Sequence, residues 1–343
     1  MRQAVDLVVK TVRDTLPRAF DPGQYASGTP NLATYYPPYN TIRPLSSPLA
    51  GLAYPEPPTP RAAQVITPIM DELIADVAQI RGDWLRKSMS GLATRVEEAD
   101  ATVYEGRGGE KVRLCMKMWD TFLTVCECEA NLSSTIMPGP AGQKLAGQTL
   151  PYVLSILSQT MNHVLAGIKR NLSAQTMTML DLYASLITFQ PRYESSIASH
   201  FPDAKDLQTA LTGSLNALRG MALRSFPERL VDIRSPPRSG MAPSSAISET
   251  TYNTLAYLEA LPSFGNLVET LLRSSGHVER AWLMGAAAPP STAKSAATEG
   301  GLINLYAADV LGTLLSHLET QCKMMRRPIG PTFLINNGEL IWL

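Results

Sequence analysis

From Arg61 onward an apolar residue recurs at nearly every third or fourth position of this chain. Leu150, Leu154, Leu157, Met161, Val164, Ile168 and Leu172 show the pattern most clearly. That spacing gathers side chains into one stripe along a helix, whereas a half-buried strand needs alternation at period two. Helices are likewise predicted over residues 66–89, 112–136, 150–172, 175–190, 203–233, 248–274 and 302–325. Thr149 fits an N-cap before Pro151 at a first helical position. The next segment carries Met177, Leu180, Tyr183 and Ile187 and is expected to stop before Pro191. Leu207, Leu211, Leu215, Leu218, Ala222 and Phe226 form another stripe, with a break or kink expected at Pro227. Tyr252, Leu255, Leu258 and Leu261 lead into Pro262, after which Phe264, Leu267, Val268 and Leu271 resume the period. Tyr306, Val310, Leu314, Leu318 and Cys322 make the last long stripe.

The start of the chain reads differently. Val5, Val8, Val9 and Val12 suit a short amphipathic helix from Arg2 to Thr15. Residues 16–60 are dense in proline, which removes backbone donors and holds its predecessor extended. This stretch reads as an ordered arm on a bundle or as a semi-rigid linker. Tyr25, Tyr35, Tyr36, Tyr39 and Tyr54 favour the arm, since a free linker would waste their apolar surface. Residues 236–245 and 285–300 read as surface loops. The expected organisation is a helix and proline-rich arm over 1–60, a first helical bundle over 61–200 and a second over 201–343.

With 45% hydrophobic and 17% charged residues, the chain carries enough apolar material for packed cores. Lys+Arg and Asp+Glu both number 30, so no global field draws the chain to nucleic acid or anionic lipid. No apolar run reaches the ~18 residues of a membrane span. The four cysteines in 343 residues suit a reducing, cytoplasmic setting.

Residues with chemical potential are scattered. Cys126-Glu-Cys128 lacks the second pair and the spacing of a metal site, and reads as buried small hydrophobes. His163, His200, His277 and His317 have no companion at a catalytic or metal-binding spacing. Gly106-Arg-Gly108-Gly109 is glycine-rich but has neither the phosphate-loop pattern nor a preceding strand. Asn131 and Asn171 begin Asn-x-Ser triplets on expected helices, as chance matches. No cofactor is expected. Lys323, Arg326 and Arg327 form a basic cluster at a helix end. They either complement the helix dipole or contact an acidic partner or lipid headgroup.

A family resemblance rests on three stretches: Phe226-Pro-Glu-Arg-Leu-Val-Asp-Ile233, Ile247-Ser-Glu-Thr-Thr-Tyr-Asn-Thr-Leu-Ala-Tyr-Leu-Glu-Ala-Leu261, and Arg326-Arg-Pro-Ile-Gly-Pro-Thr-Phe-Leu-Ile-Asn-Asn-Gly-Glu-Leu-Ile341. Together they resemble the seventy-kilodalton exocyst subunit, particularly its fungal members, and Asn336-Asn337 is the sharpest mark. Residues 75–92 and 104–123 look like weaker versions of the family's first bundle. The resemblance implies an all-α, elongated rod of stacked antiparallel helical bundles and no enzymatic activity. It also implies exocytosis, with other exocyst subunits, Rho-type small GTPases and phosphatidylinositol bisphosphate at the plasma membrane as partners. Family members carry an N-terminal coiled coil and a basic, lipid-binding end, and neither has a counterpart here. The chain is therefore expected to be a fragment. Thr332 to Leu343 is expected to open a helix that Pro331 separates from the one before, with Phe333, Leu340, Ile341, Trp342 and Leu343 partly uncovered.

Overall fold

The computed structural model describes residues 2–15, 60–99, 109–235, 245–274, 280–284, 301–325 and 329–342. The proline-rich arm, both expected loops, Arg326, Arg327 and Leu343 fall outside these, apart from Pro60 and Ser245. Among the described residues there is no strand. The helices are α1 (Arg2–Thr15), α2 (Pro60–Glu98), α3 (Gly109–Ile136), α4 (Pro140–Arg170), α5 (Thr176–His200), α6 (Lys205–Arg234), α7 (Glu249–Ala260), α8 (Gly265–Ser274), α9 (Gly301–Met324) and α10 (Ile329–Trp342). The chain divides into two compact units. Residues 1–100, 110–166 and 185–215 make the first, and residues 101–109, 167–184 and 216–343 the second.

Each expected helix is present, but several boundaries move: α2 runs over Pro60–Glu98 rather than 66–89, and in α4 and α5 prolines are the reason. Helix α4 begins at Pro140, not at Thr149. Gly139, at φ +73°, turns the chain, and Pro140 takes the first helical position. Thr149 is an interior residue whose hydroxyl donates to Leu145 O at 2.9 Å. Helix α5 runs through Pro191 to His200, and α6 runs through Pro227 without a break. An interior proline loses one hydrogen bond and crowds the preceding turn, at about 3 kcal/mol. Beyond Pro191 lie Tyr193, Ile197 and Phe201, all buried. Burial of a large apolar side chain contributes ~1.5–3 kcal/mol, so these three outweigh one proline.

The stripes also rotate slightly from the expected ones. Val153 replaces Leu154 at the centre of α4, and Leu186 replaces Ile187 in α5, leaving Ile187 38% exposed. On α7, Tyr252 faces solvent while Thr251, Thr254 and Tyr257 are buried. Pro262 opens a single 3-10 turn, Leu261–Phe264, that joins α7 to α8.

In the first unit, Val5, Val8 and Val12 of α1 pack on Met70, Leu73, Ile74 and Val77 of α2. Leu132 and Ile136 from the end of α3, and Ala141 and Leu145 from the start of α4, complete that core. A buried ion pair joins α2 to α3: Arg81 Nε lies 2.8 Å from Glu129 Oε1, and its guanidinium stacks 4.2 Å above Trp84. Around Tyr193, Trp119 and Phe189 pack at 5.7 and 6.0 Å, and the Tyr193 hydroxyl donates to Leu207 O. In the second unit, Tyr306 of α9 is surrounded by Phe226, Tyr257 and Trp282 at 5.3, 6.5 and 5.7 Å, each near edge-on.

Helices α2 and α4 approach each other closely at Gly82. A Cβ there would lie 2.4 Å from Tyr152 Cδ2 and 2.5 Å from Cγ. Gly91, on the same helix, has nothing within 4 Å of its would-be Cβ. Alanine gains roughly 0.5–1 kcal/mol over glycine in a helix interior, whereas overpacking costs about 1–3 kcal/mol. Gly82→Ala is therefore expected to lower stability by ~1–2 kcal/mol and Gly91→Ala to raise it by ~0.5–1 kcal/mol, read from urea midpoints. A Gly82→Ala chain as stable as Gly91→Ala would contradict this packing.

Candidate functional site

A polar constellation in the second unit centres on Asn337, which is wholly buried in the apolar helix α10. An asparagine offers one acceptor oxygen and two donor hydrogens. Here Oδ1 accepts from Ser248 N at 2.8 Å and from Thr251 Oγ1 at 2.7 Å. Nδ2 donates to Phe333 O at 2.8 Å and to Ala246 O at 3.3 Å. Its neighbour Asn336 donates to Ser245 O at 2.7 Å. Ser248 is in turn the N-cap of α7, accepting from Thr251 N at 3.0 Å. The two asparagines therefore clamp the Ser245–Thr251 segment to α10, although these residues lie some ninety positions apart in sequence.

A second device caps α9. The Glu269 carboxylate, from α8, accepts from Leu302 N at 3.3 Å and Ile303 N at 3.1 Å. An anion is favoured where unpaired amides and the helix dipole point at it. Arg229 lies over Tyr257 at 4.4 Å and donates to Ser173 O at 2.8 Å.

The basic cluster is only partly within view. Lys323 is exposed in the last turn of α9, next to Met324, which is 80% exposed. Arg326 and Arg327 lie outside the described residues. Helix α10 begins at Ile329, three residues before the expected start, and takes Pro331 into its first turn. Phe333 is buried, contrary to the expectation that it is partly uncovered, because α10 packs on α9. Leu340 and Ile341 are half-buried.

Cys115, Cys126 and Cys128 are buried in α3, as the sequence suggests. Burial pushes the Cys115 thiol up to about 12 and the Cys126 thiol well above 9.0, with the Glu129 and Glu127 carboxylates adding to the latter. Nucleophilic attack and metal ligation both need a thiolate, which these surroundings disfavour. His163 is exposed on α4, and His200 ends α5 with Nδ1 2.9 Å from Ser196 O. His317 is half-buried on α9, where burial lowers its pKa and Gln321 Nε2 lies 2.8 Å from its ring. His277, Gly106 and Gly108 lie outside the described residues. Asn131 is exposed on α3, and Asn171 sits in the turn after α4 rather than on a helix.

Among the described residues no group of three or more His, Cys, Asp or Glu converges to hold a metal ion. Nor is any described helix long and apolar enough to cross a membrane. A cleft of about 610 Å³ in the first unit has Trp84 in its wall. Its cations, Arg13, Arg86 and Lys87, alternate with Asp76 and Asp83. Within it Asp83 is paired with Arg86, whose Nη2 lies 2.9 Å from Oδ1.

Fold and polar devices together define an all-α helical-bundle protein whose described polar networks tie helices to one another. A family model for the C-terminal part of the Exo70 exocyst complex component matches residues 113–342. The chain belongs to the Exo70 exocyst subunit family. The crystal structure of the S. cerevisiae exocyst component Exo70p matches with a TM-score of 0.62 and 13% identity, covering 99% of this chain and 64% of that one. A structure of exocyst subunit Exo70p, described with the Exo84p C-terminal domains as revealing a common motif, matches with a TM-score of 0.56 and 13% identity. That match covers 99% of this chain and 60% of the other. No curated protein matches the chain.

The Asn336-Asn337 pair on which the sequence resemblance drew thus has a physical role in this chain. Removing Asn337 leaves the Ser248 amide and the Thr251 hydroxyl without their acceptor. Asn337→Ala should cost about 2–4 kcal/mol and Asn336→Ala, with one bond, about 1 kcal/mol, by urea unfolding. Equal small losses for both would contradict the clamp.

The buried thiols and phenols also set a pH limit. Burial raises Tyr257 to about 12 and Tyr306 and Tyr193 above 10.0. A folded-state pKa above the unfolded value gives stability that is whole below the unfolded pKa and lost as pH rises through the folded one. The urea midpoint should stay flat from about pH 7, above the titration of half-buried His317, to pH 9.0, the thiol's unfolded value, and fall between there and about 12. A midpoint constant across that range would contradict the assignment.

Proposed function

We propose that the chain acts in exocytosis as an exocyst tethering subunit, docking secretory vesicles at the plasma membrane by scaffolding protein partners. The family match over residues 113–342 carries this reading. The partners are other exocyst subunits, Rho-type small GTPases and phosphatidylinositol bisphosphate, and the setting is cytoplasmic, peripheral to the plasma membrane at sites of polarised growth. The chain spans 64% of the length of the Exo70p chain it resembles. Tethering needs helix faces held at fixed positions and no nucleophile, base or metal, so the chain is not an enzyme on this reading. The polar clamps fit that role, since each fixes one helix against another without leaving a reactive group exposed.

A second reading, a peripheral phosphoinositide-binding module, draws on exposed Lys323 beside exposed Met324. The two separate by experiment. A tagged chain recovered from its own cells should bring down other exocyst subunits. On vesicles containing phosphatidylinositol bisphosphate it should bind weakly, as zero net charge dictates. Recovery without any exocyst subunit overturns the tethering reading. Strong, salt-sensitive vesicle binding, abolished by alanine at Lys323, Arg326 and Arg327, establishes the second reading instead.

A further inference from the structure

The connection between α8 and α9 sends one short turn, Ala281–Leu283, into the second unit. Trp282 is buried against Tyr306, with ring centroids 5.7 Å apart and planes at 88°. Its indole Nε1 donates to Asp309 Oδ2 at 2.9 Å. Arg280 Nη1 lies 3.6 Å from Asp309 Oδ1. Asp309 itself is wholly buried, so the indole brings a hydrogen bond and the guanidinium a positive charge to a carboxylate that water does not reach.

The two sides of this contact differ in how firmly they are built. Tyr306 and Asp309 stand one turn apart on α9, hence on one face. The Tyr306 hydroxyl is placed by Tyr257 at 3.1 Å and by Phe226 O at 3.3 Å. The Asp309 carbonyl accepts the Thr313 hydroxyl at 2.7 Å. The Arg280–Met284 side is a single turn closed by Leu283 N to Arg280 O and Met284 N to Ala281 O. Both of its ends are left-handed without being glycine, Arg280 at φ 58° and Met284 at φ 51°. Residues other than glycine are held in that region only by their surroundings. Met284 points away, 75% exposed.

We propose that the Tyr306–Asp309 face of α9 is a peptide-binding site for a linear segment with an arginine two positions before a tryptophan. In the structure Arg280-Ala-Trp282 fills it as a built-in ligand. A partner segment with the same signature replaces it when this turn lifts. The chemistry is selective: the entering side chain must stack edge-on against a tyrosine and give an N–H to a buried carboxylate. Phenylalanine has no such donor, and lysine no such ring. The site stands on the geometry of the second unit and does not depend on the tethering reading.

The test uses the full chain and a fluorescein-labelled peptide, Arg-Ala-Trp-Leu-Met. A tethered competitor acts at an effective concentration in the mM range, so Trp282→Ala, which vacates the site, should bind the peptide at least ~10-fold more tightly than the unsubstituted chain. A peptide with alanine for tryptophan should lose that binding, and one with alanine for arginine should weaken it. Equal binding to both chains, or equal binding of the alanine-for-tryptophan peptide, overturns the proposal. If Trp282→Ala loses its helical circular dichroism, Arg280→Ala takes its place, with a smaller gain expected and no gain counting against the site. On the unsubstituted chain, amides 281–284 should exchange with deuterium faster than those of 306–313. Equally slow exchange means that the turn does not lift, and the proposal fails.

Discussion

The burial of continuous apolar stripes is the constraint on which the rest of this structure depends. The prolines it overrides show its strength. A proline inside a helix costs about 3 kcal/mol, yet α4, α5 and α6 each contain one. In α5 the stripe runs Leu182, Leu186, Phe189, Tyr193 and Ile197, passing Pro191 on the exposed side. Ending the helix at Gln190 would take Tyr193 out of contact with Trp119 and Leu207 O. Packing decides, and local propensity yields.

Within that frame, polar groups fix positions that apolar contacts leave free. An apolar stripe lets helices slide, because one leucine resembles the next. Asn337 does not permit this, since its oxygen and both its hydrogens meet partners at particular places on the Ser245–Thr251 segment and on its own helix. Glu269 sets where α9 begins by meeting Leu302 N and Ile303 N, and Arg81–Glu129 sets the register of α2 against α3. Such groups are costly to bury unless fully matched, and that cost gives them specificity. The proposed tethering role draws on the same property, since partner sites would keep their separations only if helices hold their register.

The sequence made the helices legible because the period near 3.6 is a local signal. It misplaced boundaries where tertiary contacts outweigh a proline. Pro151 and Pro140 both suit a first helical position, and only the turn at Gly139 with the burial of Ala141 and Leu145 chooses the earlier one. Tyr252 looked like a core residue by spacing, but Thr251 and Thr254 take the inside because Thr251 finds a partner in Asn337. Asn336-Asn337 stood out as a family mark, while its partners lay some ninety residues upstream and so beyond any local pattern. The Ser248…Thr251 spacing was the available clue, since it suits an N-cap. Trp282 and Asp309 carried no signal at all, because neither lies in a motif and they meet only in the fold.

Rigid helices that persist through their prolines are the central claim, and amide hydrogen exchange tests it most directly. If stripe burial holds α5 and α6 together, amides on both sides of Pro191 and of Pro227 should exchange slowly and with similar protection. Fast exchange over residues 192–200 or 228–234, beside slow exchange before each proline, would show the helices ending where propensity alone would end them. That result would contradict the account.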